Sequence, residues 1–200
     1  MYSQKEEEKY ILNYFKNVSY GRFLDIGAYN GVKYSNTRAL FEKGWRGVVV
    51  DPAPTSVAAL TELYGDVKGM AVVDQCIGEY STPVDFYESP NDAYSSTEIE
   101  HVQFWTERGI QFERHTVPMV TWRQLLGAVG ADFYFVKIDA EGMSVRLLEL
   151  MPFDKLPNLL CVMVEHENQF TRCIQHFLIH GFNTFICEGD NIIAFKKSEG

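Results

Sequence analysis

No stretch of this sequence is long and apolar enough to cross a membrane, and none concentrates positive charge. With 18 lysines and arginines against 27 aspartates and glutamates the formal charge is -9, so the average surface repels a phosphate backbone and no nucleic-acid partner is expected. The densest basic group, Arg108, Arg114 and His115, is diluted by Glu107 and Glu113 and reads as a solvated loop. Cysteine is sparse too. Cys76, Cys161, Cys173 and Cys187 stand far apart without a C-x-x-C pair, which argues against zinc and against disulfide redox chemistry. Cys76 and Cys161 fall in apolar runs, where a free thiol packs as a small hydrophobe. The first residues carry the charged run Lys5 to Lys9 in place of the apolar core of a signal peptide, and a soluble, cytoplasmic protein is expected.

What is present suits one globular unit. The 200 residues are 46% hydrophobic and 22% charged, enough to bury a single core, so residues 1–200 read as one domain. Within residues 1–20, Tyr10, Ile11, Tyr14 and Phe15 recur at helical spacing and predict an amphipathic helix over Glu7 to Phe15. Arg22 to Ile26 then reads as a strand, Gly27 to Gly31 as a turn, and Asn36 to Lys43 as a helix capped by Ser35 and stopped by Gly44. The β-branched run Gly47 to Val50 predicts a strand buried on both faces. A helix over Ser56 to Tyr64 and a strand over Gly69 to Val73 follow.

Further along, a small strand is expected at Val84 to Tyr87, a helix at Trp122 to Leu126, a strand at Phe133 to Ile138 and a helix at Ser144 to Leu150. Leu159 to Val164 reads as a strand and Thr171 to His180 as a helix. Thr184 to Cys187 and Ile192 to Phe195 read as a closing hairpin, turned by Glu188 to Asn191. The alternation predicts an α/β, doubly wound, Rossmann-like sheet, mostly parallel, with ligands beyond the carboxyl ends of its strands. Residues 88–116, and Asn91 to Thr116 above all, resist assignment and are expected to form a lid or substrate segment.

Three strand ends carry acids. Asp25 precedes the turn Gly27-Ala28-Tyr29-Asn30-Gly31, where a ligand can approach backbone without bulky side chains. The spacing is G-x-x-x-G and not the G-x-G-x-x-G of a dinucleotide site, which weakens a nicotinamide reading. A carboxylate at Asp25 suits the ammonium group of S-adenosylmethionine, directly or through water. Asp51, followed by Pro52, stands where an acid can accept from both ribose hydroxyls, and Asp74 and Gln75 stand where an adenine amino group could donate. A lone Asp at a strand end is more often a cap or turn former. Three in succession point to a nucleotide-type site.

The stretch Phe23-Leu24-Asp25-Ile26-Gly27-Ala28-Tyr29-Asn30-Gly31, together with Val136-Lys137-Ile138-Asp139-Ala140-Glu141-Gly142, resembles the FkbM family of class I S-adenosylmethionine-dependent methyltransferases. The K-I-D-x-E-G motif is the more specific part, and the resemblance runs from about Phe23 to Glu165. It implies a seven-stranded sheet with a terminal antiparallel hairpin and methyl transfer to a hydroxyl of a small molecule or sugar. Asp51-Pro52 stands where the family often has Glu-Pro, Trp122 where an Asp is common and Met143 where a small residue is common.

Methyl transfer needs alignment and a route for a proton. Asp139 is expected to hold donor or acceptor, with Glu141 or His166 as the base, while Lys137 reads as a strand residue paired with an acid. Neighbouring acids could hold a divalent metal, but none is taken as part of the site. The rivals are a non-catalytic module that binds adenosylmethionine or its product, and a nicotinamide-dependent oxidoreductase. The partner expected is a small-molecule or carbohydrate acceptor. A homo-oligomer is left open, since aromatics between Asn91 and Thr116 could cover the site or a second subunit.

Overall fold

Strands rich in valine and isoleucine and buried on both faces drive the assembly of the central sheet. The computed structural model describes residues 1–89 and 94–197. Its elements in chain order are α1 (Glu7–Tyr14), β1 (Arg22–Ile26), α2 (Arg38–Glu42), β2 (Arg46–Val50), α3 (Pro54–Tyr64), β3 (Met70–Val73), β4 (Cys76–Gly78) and β5 (Val84–Glu88). There follow α4 (Ile99–Thr106), β6 (Glu113–Val117), β7 (Met119–Thr121), α5 (Trp122–Val129), β8 (Phe135–Ile138), α6 (Ser144–Leu150), β9 (Cys161–Glu165), α7 (Phe170–Ile179), β10 (Thr184–Glu188) and β11 (Asn191–Phe195).

Seven strands form the central sheet in the order β10-β11-β9-β8-β1-β2-β3, parallel except for β11, which runs antiparallel to both neighbours. This is the doubly wound α/β sheet with a closing hairpin. Alternation along each strand divides the core. Leu24, Val48, Val50, Val136, Ile138 and Val162 face the α5–α7 layer and meet Leu125, Leu148 and Phe177. Phe23, Val49, Phe135, Cys161 and Met163 face the other way, against Ile11, Leu40, Trp45, Leu60 and Tyr64. Cys76, Cys161 and Cys173 are buried free thiols and Cys187 is exposed.

The chain leaves β1 toward β2 on one side and reaches β8 on the other, so a topological switch point opens between the carboxyl ends of β1 and β8. There the two turns touch at Gly27, whose φ of +73° admits the bend and where a Cβ would lie 1.7 Å from the Asp139 carbonyl oxygen.

Several boundaries differ from the sequence reading. Helix α2 starts at Arg38 because Ser35 Oγ accepts the N–H groups of Thr37 and Arg38 and holds the chain short of a helix until then. Helix α5 runs on to Val129, led by a Thr121–Gln124 capping box. Residues 88–116 contain α4 and most of β6, which pairs with β5, while β4 pairs with β7; both pairs are two-stranded sheets apart from the central one. Arg114 and His115 therefore lie on strand β6 and not in a loop, with Arg114 on Asp85 at 2.6 Å and His115 on buried Glu88 at 3.0 Å. Of the lid or substrate segment expected over residues 88–116, residues 90–93 lie outside the described residues.

Candidate active site

The switch point opens into a cleft holding about 1000 Å³ of empty space, counted out to its mouth. One wall is the turn after β1 with Gly27, Ala28 and Tyr29; another is the end of β2 with Asp51 and Pro52; a third is Asp139, Ala140 and Glu141 after β8. Gln75, Cys76, Ile77 and Phe86 form a largely apolar slot, and Ser95, Ser96 and Thr97 complete the lining on the α4 side.

Asp51 is buried because β2 carries it into the cleft floor. Its Oδ2 accepts the Tyr29 N–H at 2.8 Å and its Oδ1 the Ala53 N–H at 3.0 Å, so the carboxyl fixes both turns beside it. Burial outweighs those bonds and raises its pKa to about 6. Tyr29 sits at φ 51°, a left-handed conformation that the Asp51 bond helps to hold.

Lys137 is the buried cation of the site. It lies 3.4 Å from Asp25 Oδ1 and 3.3 Å from Asp139 Oδ2, and donates to the Gly27 carbonyl at 2.6 Å. Burial works against its charge, but the Asp139 and Asp25 carboxylates outweigh burial and hold its pKa above the ordinary lysine value. Asp25 is 1% exposed and also accepts from Thr37 Oγ1 at 2.6 Å; burial raises its pKa against the pull of Lys137 and Thr37. Of the two carboxylates on Lys137, Asp139 is the one open to the cleft, its side chain one-third exposed.

A carboxylate cluster forms the far end. Asp139, Glu141 and Glu165 bring one oxygen each to within 4.8 Å of one another. These are hard oxygen donors, but we assign no metal to them, since protons relieve the same repulsion. Burial first, then Asp139, Glu165 and Glu167, raises the Glu141 pKa to about 10, with Lys137 opposing. Burial and Asp139 raise that of Glu165 to about 8. Glu141 has a φ of 24°, and Ser96 Oγ donates to its carbonyl.

Of the residues singled out in the sequence, Asp25, Gly27, Ala28, Tyr29, Asp51, Pro52, Gln75, Asp139 and Glu141 line the cleft. Asn30, Gly31, Asp74 and His166 do not. Asn30 Oδ1 accepts the N–H groups of Val32 and Lys33, Gly31 packs under Tyr64, and Asp74 is exposed. His166 takes the Asn168 N–H on Nδ1 at 3.1 Å and packs edge-on against Phe170. Trp122 is buried, its Nε1–H on the Leu147 carbonyl, whereas Met143 lines the cleft. Sequence reasoning missed His101, whose Nε2 lies 3.6 Å from Glu141 Oε2, and Glu98 and Ser96, which brace the turn at Gly142. A histidine on the face of a short helix carries no local signal of such a neighbour.

Among the described residues no helix is long and apolar enough to cross a membrane. No curated protein matches the chain in sequence. Its fold is that of a precorrin-6y C5,15-methyltransferase from Geobacter metallireducens, at TM-score 0.50 and 12% identity over 98% of this chain and 91% of that one. It is equally that of the SAH-bound Podospora anserina methyltransferase PaMTH1, at TM-score 0.50 and 11% identity over 98% of this chain and 80% of that one. The family described as the methyltransferase FkbM domain matches residues 25–188, which include every lining residue of the cleft but Gln4. The chain belongs to the FkbM methyltransferase domain family.

Proposed function

We propose that this chain transfers a methyl group from S-adenosylmethionine to a hydroxyl oxygen of a small molecule or sugar. The observation that carries the reading is the order of chemistry along one cleft: an apolar slot, then a buried carboxyl, then a lysine-held carboxylate, then a proton-holding acid cluster. The slot between Cys76, Ile77 and Phe86 suits a purine, with Gln75 at its edge. Asp51 keeps lone pairs beyond those its two backbone donors use, and ribose hydroxyls would fill them. Asp139 is open to the cleft and suits an ammonium, while Asp25 behind it serves to hold Lys137 and Thr37.

When bound, the cofactor supplies an electrophilic methyl group on a sulfonium. The chain's own work is alignment, exclusion of water and movement of the acceptor proton. Met143, Tyr34 and Ser95 to Thr97 border the space left for an acceptor. The bound SAH of the Podospora protein supports the cofactor by analogy of fold alone.

The test is calorimetry with adenosylhomocysteine, adenosylmethionine and NAD, followed by a screen of hydroxylated acceptors for adenosylhomocysteine release. Tight NAD binding without adenosylhomocysteine binding would replace this reading with an oxidoreductase. Cofactor binding with no acceptor turned over across sugars and small alcohols would favour a non-catalytic binding module.

A further inference from the structure

Methyl transfer to a hydroxyl leaves a proton to be placed, and Asp139, the carboxylate open to the cleft, is engaged by Lys137 and given to the donor's ammonium. Glu141 lines the cleft, but burial and the facing carboxylates of Asp139, Glu165 and Glu167 keep it protonated near neutrality, with Lys137 the opposing charge. A carboxylic acid can accept a proton on one oxygen only as it gives up the proton on the other. What stands behind it therefore decides the route.

Behind Glu141, and outside the cleft lining, α4 presents His101. Its Nε2 lies 3.6 Å from Glu141 Oε2 and is buried without a hydrogen-bond partner. Burial lowers the His101 pKa, with the Tyr94 backbone opposing, so the ring is neutral near pH 7. The tautomer with its proton on Nδ1 turns a lone pair on Nε2 toward the Glu141 carboxyl. The loop is held for the encounter. Ser96 Oγ donates to the Glu141 carbonyl and accepts the Glu98 N–H at the entry to α4, so one side chain ties the helix to the turn.

We propose that His101, acting through Glu141, receives the proton released by the acceptor hydroxyl. The inference rests on the methyltransfer reading. As the acceptor oxygen bonds to the methyl carbon and the carbon–sulfur bond of the sulfonium breaks, the hydroxyl proton passes to the free oxygen of the Glu141 carboxyl. The carboxyl's own proton passes to His101 Nε2. Glu141 ends as it began, a neutral acid, and His101 ends as an imidazolium. Its side chain is 17% exposed, and the imidazolium gives up its proton to solvent there. The 3.6 Å separation closes to hydrogen-bond length when the acceptor is seated, as such contacts do in occupied sites.

The arrangement can be read without any acceptor. Long-range ¹H–¹⁵N spectra of the full chain at pH 7 are expected to show His101 neutral, protonated on Nδ1, with an Nε2 signal that shifts in Glu141→Ala. A His101 protonated on Nε2, charged at pH 7, or indifferent to Glu141→Ala overturns the relay. With an acceptor from the screen, His101→Gln is expected to lower kcat by about 100-fold, leaving KM and adenosylhomocysteine affinity unchanged, and imidazole is expected to restore part of the loss in His101→Ala. Full kcat in His101→Gln overturns it. Calorimetry with adenosylhomocysteine on the same samples separates the two ideas: a wild type that binds none ends the methyltransfer reading, whereas normal binding with the wrong tautomer ends the relay alone.

Discussion

The contact of Gly27 with the Asp139 carbonyl is the tightest joint of the cleft, and Gly27→Ala tests it. Two costs add. The first is conformational, since a φ of +73° is about 1 kcal/mol worse for alanine than for glycine. The second is steric: an ideal Cβ would stand 1.7 Å from the Asp139 oxygen and 2.8 Å from its carbon, so one of the two turns must retreat. Backbone cannot rotate aside as a side chain can, and overpacking of this kind costs about 1–3 kcal/mol more. Gly44 supplies the control, because its φ of +96° carries the first cost while nothing lies within 4 Å of its Cβ position. Urea and thermal unfolding of the two variants should therefore separate by the steric part. For a chain of this size the expected fall in Tm is about 10 °C for Gly27→Ala and about 3 °C for Gly44→Ala. The same retreat opens the cleft, so adenosylhomocysteine affinity should drop in Gly27→Ala and hold in Gly44→Ala. Equal destabilisation of the two would refute the argument that the turns are in hard contact.

The remaining expectations are simpler. Asp51, with a pKa of about 6, binds a proton in the folded chain between roughly pH 4 and 6 that the unfolded chain does not, so its part in stability falls as pH rises through that window. Ligand hydroxyls bond best to the charged form, so calorimetry should find adenosylhomocysteine bound about tenfold more tightly at pH 7 than at pH 5, and a flat profile would remove Asp51 from the ribose site. Glu88 is 2% exposed, accepts from the Thr55 N–H and hydroxyl and faces His115, so Glu88→Ala should cost about 1–3 kcal/mol in urea unfolding. An unchanged midpoint would mean that the β5–β6 ladder docks without it. Thorough treatment with a chelator should leave adenosylhomocysteine release intact; a loss restored by magnesium would give the Asp139–Glu141–Glu165 cluster to a metal.

The central sheet was legible because β1, β2, β8 and β9 are short apolar runs buried on both faces, a pattern that turn residues and helices punctuate cleanly. Strand ends carry ligand-facing groups in such sheets, which is why Asp25 and Asp51 could be placed on the cleft from position, although Asp74, read the same way, lies off it; Asp139 came from the K-I-D-x-E-G motif. Residues 99–121 were not legible. Strand β6 reads Glu-Arg-His-Thr-Val and is mostly exposed, and β4 and β7 are three residues each, so neither period nor length marks them. Asp25 and Asp139 look alike in sequence and both sit on Lys137, and only their burial, 1% against 33% side-chain exposure, tells them apart. His101 was invisible for another reason: its partner lies 40 residues along the chain, across a loop, and helical spacing says nothing of such a neighbour.

The two short ladders share no hydrogen-bonded edge with the seven-stranded sheet. Residues from them and from the chain between them, Phe86 and Ser95 to Thr97, roof a cleft whose floor comes from β1, β2 and β8. An exchange of residues in the β5–β6 ladder therefore reshapes the roof without altering the register of any floor strand. Roof and floor meet through the Glu88–Thr55 bonds and through the apolar cluster of Ala53, Cys76, Phe86 and Val117, so a foreign β5–α4–β6 segment grafted onto this floor to re-aim the cleft has to keep both joints.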